Sequence, residues 1–284
     1  MYRVELIDLL WRGHPDAPRG GARGPRARLT TEDAVTAALA TADAEGLSAV
    51  TIRRLARSLG VSTMSVYTYV SSREDLLVLM VDAAHRDMTA TPYTAADWRM
   101  RLRYLAEDNL RLLTARTWLL DVDDPRAALG PGTIAKYDRE LHAFDGLGFD
   151  DVDRDAALSF VLDFVSASAR TRVVRHVGRG DDGAAGPEPA GGPESTVGAE
   201  GTPGPEETAA PRDAPVMAEV WAHTRERLAT YLGADHPLAQ RVGSAAGEAM
   251  NDVHDVQRAW EFGMARMLDG LAGMIADRVP ESSA

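Results

Sequence analysis

Residues 51–70 read Thr-Ile-Arg-Arg-Leu-Ala-Arg-Ser-Leu-Gly-Val-Ser-Thr-Met-Ser-Val-Tyr-Thr-Tyr-Val, a run of hydroxyls, arginines and phenols set on an apolar frame. Hydroxyls exchange hydrogen bonds with base edges and phosphates, and a thioether or threonine methyl can touch the thymine methyl. Ser62, Thr63, Met64, Ser65, Tyr67, Thr68 and Tyr69 form or border that polar surface, and Thr51 opens the run. Arginines beside helix starts commonly hold phosphate, which makes Arg53, Arg54 and Arg73 candidates. Between Gly46 and Arg73 there are four arginines and no acid. No Arg or Asn falls between Ser62 and Val70 to make a bidentate base contact, so discrimination there rests on hydroxyl and apolar contacts, water or duplex shape.

The positioning elements follow from the same spacing. Ile52, Leu55, Ala56 and Leu59 share one helical face from about Thr51 to Leu59, and a second helix is predicted from Ser62 to about Val70. Ala56 is small where two helices approach, Gly60 relieves the backbone of the turn, and Val61 and Val66 are apolar anchors. This is the pattern of a helix-turn-helix, whose second helix enters the major groove while the first crosses the backbone. A helix from Thr30 or Thr31 to Gly46, with Glu32 and Asp33 in its first turn, precedes the pair. Another follows from Ser71-Ser72-Arg73-Glu74, read as a serine cap with Glu three residues on.

Composition bounds the rest. The chain has 284 residues, 45% of them hydrophobic, no cysteine and a formal net charge of -12. Disulfides and thiolate metal sites are excluded. No apolar run approaches the roughly 18 residues of a membrane span, which predicts a cytoplasmic protein without a membrane partner. The acidic average hides an asymmetry, because residues 1–80 carry ten basic and nine acidic side chains and the excess of acid lies beyond them.

Strand signals are scarce and helical spacing recurs, so the fold class is all-α: an N-terminal helix-turn-helix domain followed by a larger helical domain. Residues 1–27 are read as a short amphipathic helix, Met1 to Trp11, and a basic flexible arm whose Arg26 and Arg28 can follow the backbone or enter a minor groove. Residues 28–90 form the reader. Residues 91–284 form the body, with helix-like stretches at about 94–114, 133–146, 152–177, 216–232 and 252–277. Between them, 178–215 contains nine glycines, seven prolines and eight acids and is read as a disordered loop.

In the body Trp98, Tyr104, Trp118, Tyr137, His142 and Phe160 are candidate pocket liners, since ligand cavities favour aromatics with a few polar groups. Phe164 and Ser168 on one long helix, and Trp260, Met264, Met267 and Leu271 on the last, are candidates for a self-complementary dimer interface, with Gly263 and Gly270 permitting close approach. No Walker loop, Rossmann fingerprint, HExxH or nucleophile elbow is present, so no catalytic residue or cofactor is expected. His223, His236, His254, Asp252 and Asp255 match no familiar ligand spacing, so no metal site is expected either.

Residues 28–90 resemble the N-terminal domain of TetR/AcrR-family regulators. The resemblance rests on Ala44-Glu-Gly-Leu47, Thr51, Leu55-Ala-Arg-Ser-Leu-Gly-Val61, Ser65-Val-Tyr-Thr-Tyr-Val70 and Arg73-Glu-Asp-Leu-Leu77. It implies a homodimer that binds double-stranded operator DNA, a four-helix interface made by the C-terminal helices, and a small-molecule pocket in each body. Bound effector is then expected to change the separation of the two readers and release DNA. Repression is the expected outcome, with activation on the same fold as the alternative.

Overall fold

A computed structural model describes residues 5–18, 29–94, 97–177, 235–250 and 255–276, with a few helical positions between 224 and 231. Arg26, Arg28 and the 178–215 stretch lie outside the described residues, as does most of 216–232. All regular structure among the described residues is helical. In chain order the helices are α1 (Leu6–Leu10), α2 (Thr31–Glu45), α3 (Ile52–Ser58), α4 (Thr63–Val66), α5 (Arg73–Arg86), α6 (Trp98–Ala115), α7 (Pro131–Leu141), α8 (Asp151–Val177), α9 (Pro237–Met250) and α10 (Val256–Ala276). Short 3-10 segments, Thr117–Asp121 and Pro125–Leu129, link α6 to α7. By Cα proximity the chain divides into two units, residues 1–172 with 257–284, and residues 173–256. The second includes α9, which the sequence reading did not predict.

Polar caps set where the reader's helices begin. Thr30 and Asp33 cap α2 reciprocally, each side chain taking the other's backbone N–H. Ser72, one residue later than its sequence suggested, accepts from Asp75 N at 3.0 Å and starts α5. The core these helices close contains Val35, Leu39, Leu55, Val66, Leu76 and Met80, all buried. Trp118 belongs to this core. It is 2% exposed, and its Nε1–H donates to Asp43 Oδ1 at 2.7 Å, so the expectation of a pocket-lining Trp118 is corrected: it plugs the reader from the body side. An indole is buried where its body meets aliphatics and its N–H finds an acceptor.

A second core fills the body. Leu102, Leu105, Phe144, Leu158, Val161 and Val165 pack with Trp260, Met264, Met267, Leu268 and Leu271 of α10. Phe164 stacks on Trp260, ring centroids 5.1 Å apart, and Gly263 makes room, since a Cβ there would overlap the Phe164 ring. The expected dimer contacts Trp260, Met264, Met267 and Leu271 are therefore corrected to intrachain core. Half-buried Phe164 belongs with them, and half-buried Ser168 donates from Oγ to the Phe164 carbonyl at 2.9 Å. Spacing revealed the apolar stripe but not which partner covers it. Three pocket candidates lie at the surface. Tyr137 is exposed and its hydroxyl donates to Asp155 Oδ1 at 2.8 Å, His142 is exposed beside Asp145, and Phe160 is 56% exposed on the outer side of α8. Trp98 and Tyr104 are half-buried.

Reader and body meet most extensively where α5 crosses α7. The first turn of α7 follows Gly130 and Pro131, neither of which supplies a side-chain cap. Asp82 of α5 supplies it instead, accepting from Thr133 N at 2.9 Å while 4% exposed. Burial raises the Asp82 carboxyl's pKa, with the backbone N–H groups of Thr133 and Gly132 opposing that rise. One turn on, His85 Nδ1 lies 2.9 Å from Thr133 Oγ1. Burial first, and the charges of Lys136 and Arg139 second, hold the His85 imidazole's pKa down at about 3.

An unfolded chain would protonate His85 near 6.5 while the folded one leaves it neutral to about 3, so the unfolded state binds the extra proton in that window. The contribution from His85 is therefore lost as pH falls from 6.5 towards 3. His85→Gln should flatten this part of the stability profile measured by urea unfolding across that range, whereas an identical pH profile in variant and wild type would remove His85 from the account.

Candidate nucleic-acid interface

The turn between α3 and α4 is built by three residues. Gly60 sits at a φ of +67°, where a side chain would be strained, and Val61 N donates to Ala56 O at 2.9 Å to close the corner. Val66 is fully buried beneath α4. Thr51 caps α3 by accepting from Arg54 N at 3.2 Å, and Ser62 caps α4 by accepting from Ser65 N at 3.1 Å. The Ser62 and Ser65 hydroxyls also lie 2.9 Å from each other, so both serve the geometry of α4 before they can serve a ligand. The helix is shorter than its sequence suggested. It ends at Val66, and residues 67–69 form a turn that carries the phenols on a tighter backbone path.

That path leaves one side of the unit presented to solvent. Met64 is 73% and Tyr67 46% exposed, and Thr63 and Thr68 are exposed beside them. Tyr69 is half-buried, and its carbonyl accepts from Thr31 Oγ1 at 3.0 Å, which ties the end of the turn to the start of α2. On a rigid, capped frame an exposed thioether and phenol side by side have no packing reason to be there.

The arginines separate into two groups. Arg53 and Arg57 are exposed and make no ion pair among the described residues. Arg54 pairs with Glu45 at the end of α2. Arg73 is turned inward: its Nε donates to Val50 O at 2.7 Å and its Nη2 to Leu47 O at 3.1 Å, bracing the residues that lead into α3. A fork-shaped guanidinium suits two carbonyls in this way where an ammonium would not. Arg57 was not among the site candidates, although its place in the acid-free run marked it equally.

Two family models match the chain. One, described as bacterial regulatory proteins of the tetR family, covers residues 34–80, and the other, the tetracyclin repressor-like C-terminal domain, covers residues 91–275. The chain belongs to the tetR family. Among its relatives, the HTH-type transcriptional repressor DrrR1 of Streptomyces coeruleorubidus is 34% identical over 172 residues, which cover 60% of this chain and 62% of DrrR1. The class E tetracycline repressor protein of Escherichia coli is 30% identical over 129 residues, 43% of this chain and 59% of that protein. The matched region thus spans less than two thirds of either relative. In fold, the chain is similar to ActR of Streptomyces coelicolor, solved in complex with actinorhodin, with a TM-score of 0.63 at 21% identity over 90% of this chain and all of ActR. The helix-turn-helix followed by a helical C-terminal domain is the architecture of the family, as expected from the sequence.

If α4 and its turn form the contacting surface, Tyr67→Ala should weaken duplex binding while leaving the free energy of unfolding within about 1 kcal/mol of wild type, as expected for an exposed side chain. A matching loss of stability would place Tyr67 in the core instead. Arg53→Gln should reduce the slope of log K against log salt by roughly one contact. Arg73→Lys should lower stability without changing that slope; a flattened slope with normal stability would reverse these two assignments.

Proposed function

We propose that the protein is a homodimeric transcriptional repressor which binds a pseudo-palindromic operator through α3 and α4 and lets go when a small molecule enters the body. The observation that carries the reading is the combination of a rigidly capped α3–α4 unit, its exposed Thr63, Met64, Tyr67 and Thr68, and, beside them, Arg53 and Arg57, which make no ion pair among the described residues. Phosphate contacts position such a unit and side chains at the start of the second helix read the bases. The repressor names of the relatives support the sign of regulation. No helix among the described residues is long and apolar enough to cross a membrane.

Dimerisation through the outer faces of α8 and α10 accounts for side chains that the intrachain core leaves over. On α8, Val152 and Phe160 are exposed at intervals that share a face, and on α10 Phe262 is 65% exposed with Gly270, Gly273 and Met274 exposed along the same helix. Large apolar residues alternating with glycine permit close helix approach, and a two-fold axis would make the patch self-complementary.

For the effector, the body offers half-buried Trp98 and Tyr104 together with a buried polar set that the sequence did not reveal. Lys136 Nζ lies 2.8 Å from Glu140 Oε2, and Asn109 Nδ2 donates to Glu140 Oε1 at 2.6 Å. Burial pushes the Lys136 ammonium's pKa down, and Glu140 draws it back up. Buried charges rarely repay their desolvation in stability, which favours a recognition role for this set. That ActR is solved with actinorhodin agrees with a small-molecule site in this kind of body.

Selection of duplexes from a random library by the purified protein should enrich an inverted repeat whose affinity falls as salt rises. Enrichment of an unpaired single half-site, or none, by folded protein would contradict the reading. Phe160→Glu should convert the dimer to monomer in sedimentation and weaken the palindrome more than a single half-site; a variant that stays dimeric would take α8 out of the interface.

A further inference from the structure

We propose that residues Glu5–Arg12, ahead of the reader, are an intramolecular strap that fastens the reader to the body and fixes the orientation in which α3 and α4 are presented. The segment makes three attachments of different kinds. α1 lays Leu9 and Leu10 into the reader's core, where both are buried, with Leu6 and Trp11 packed against the same cluster. Trp11 then reaches beyond the reader. Its Nε1–H donates to the carbonyl of Leu129 at 2.9 Å, across 118 residues of sequence. Leu129 ends the 3-10 segment that leads into α7, next to Gly130, so the indole holds the body at its approach to the α5–α7 crossing.

Arg12 supplies the third attachment. Its guanidinium pairs with Glu32 in the first turn of α2, and its Nη1 donates to the Leu9 carbonyl at 2.7 Å, which ties the strap's own backbone to the pair. Glu32 also pairs with Arg86, the last residue of α5, at 3.2 Å. The start of α2, the end of α5 and the approach to α7 are thereby linked through one short segment. Reader movement against the body must part Trp11 from Leu129 if α1 travels with the reader, or part Arg12 from Glu32 and withdraw Leu9 and Leu10 if α1 stays with the body. Two packed elements joined by a few discrete contacts have discrete arrangements, and whatever holds one of them biases the equilibrium between them.

The anchors are also chemically separable. Leu9 and Leu10 give adhesion without direction, since apolar burial is non-directional. The indole N–H and the guanidinium give direction, since each needs its acceptor at one place. Removing the directional groups while keeping the leucines therefore tests the strap without unfolding α1.

The experiment is hydrogen–deuterium exchange on the full chain, comparing wild type with Trp11→Phe, Arg12→Gln and the double variant. Trp11→Phe is expected to speed exchange across 127–133 and leave the first turn of α2 unchanged. Arg12→Gln is expected to do the reverse, acting on the first turn of α2 and the last turn of α5. Changes confined to residues 5–18, or a uniform rise across both sites in each single variant, would overturn the strap. A second readout rests on the repressor reading: the double variant should bind the duplex pool selected by wild type several-fold more weakly with an unchanged salt slope. Equal affinity alongside faster exchange would overturn the claim that the strap governs presentation. If wild type selects no duplex, the repressor reading fails and the exchange data alone decide the strap.

Discussion

The crossing of α5 and α7 is the constraint on which the rest of the structure depends. α5 belongs to the reader's core through Leu76, Leu79 and Met80, and the same helix turns Asp82 and His85 towards the first turn of α7. Gly130 and Gly132 leave room for nothing larger, because a Cβ at either would overlap Asp82. A helix start without a local side-chain cap and a buried carboxylate without a local partner are each costly alone, and each satisfies the other here. The reader is therefore held by a short-range, directional contact and not by apolar packing alone.

Around that joint the molecule repeats one tactic, which is to commit polar side chains to backbone at the ends of short elements. Thr30, Thr51, Ser62, Ser72 and Asp97 each accept from the backbone of the helix they start. Arg73 braces the carbonyls of Leu47 and Val50, and Thr31 holds that of Tyr69. A four-residue helix such as α4 has too few internal hydrogen bonds to stand by itself. Caps and the buried Val66 fix it, and that rigidity leaves Met64, Tyr67 and Thr68 free of structural duty.

Much of the reader was legible in the sequence because local signals and tertiary packing agree there. The small Ala56, the turn at Gly60 and the apolar Val61 and Val66 allow few alternatives, and the hydroxyl caps mark helix starts directly. The body was legible in its stripes and not in its partners. Periodicity showed that Trp260, Met264 and Met267 share a face, but an intrachain partner and a second copy leave the same pattern. Residue type was equally silent on where Trp118, Tyr137, His142 and Phe160 lie, since an aromatic on a helix gives no sign of which side is covered. The trans cap from Asp82 to Thr133 spans 51 residues, and the Asn109–Glu140 contact spans 31, beyond the reach of any local pattern. Arg73 illustrates the remaining gap, where a basic residue beside a candidate interface is used by the protein's own backbone.

If the α5–α7 crossing has no slack, the denaturation free energy of Gly130→Ala will register it. The backbone at Gly130, with φ of -81° and ψ of 146°, accepts alanine, so any loss reports the added methyl against Asp82 and not backbone strain. A destabilisation of about 1–3 kcal/mol is expected, the usual cost of overpacking a closed contact. Stability equal to or above wild type would show that the crossing yields, and that the reader is not held in the way described.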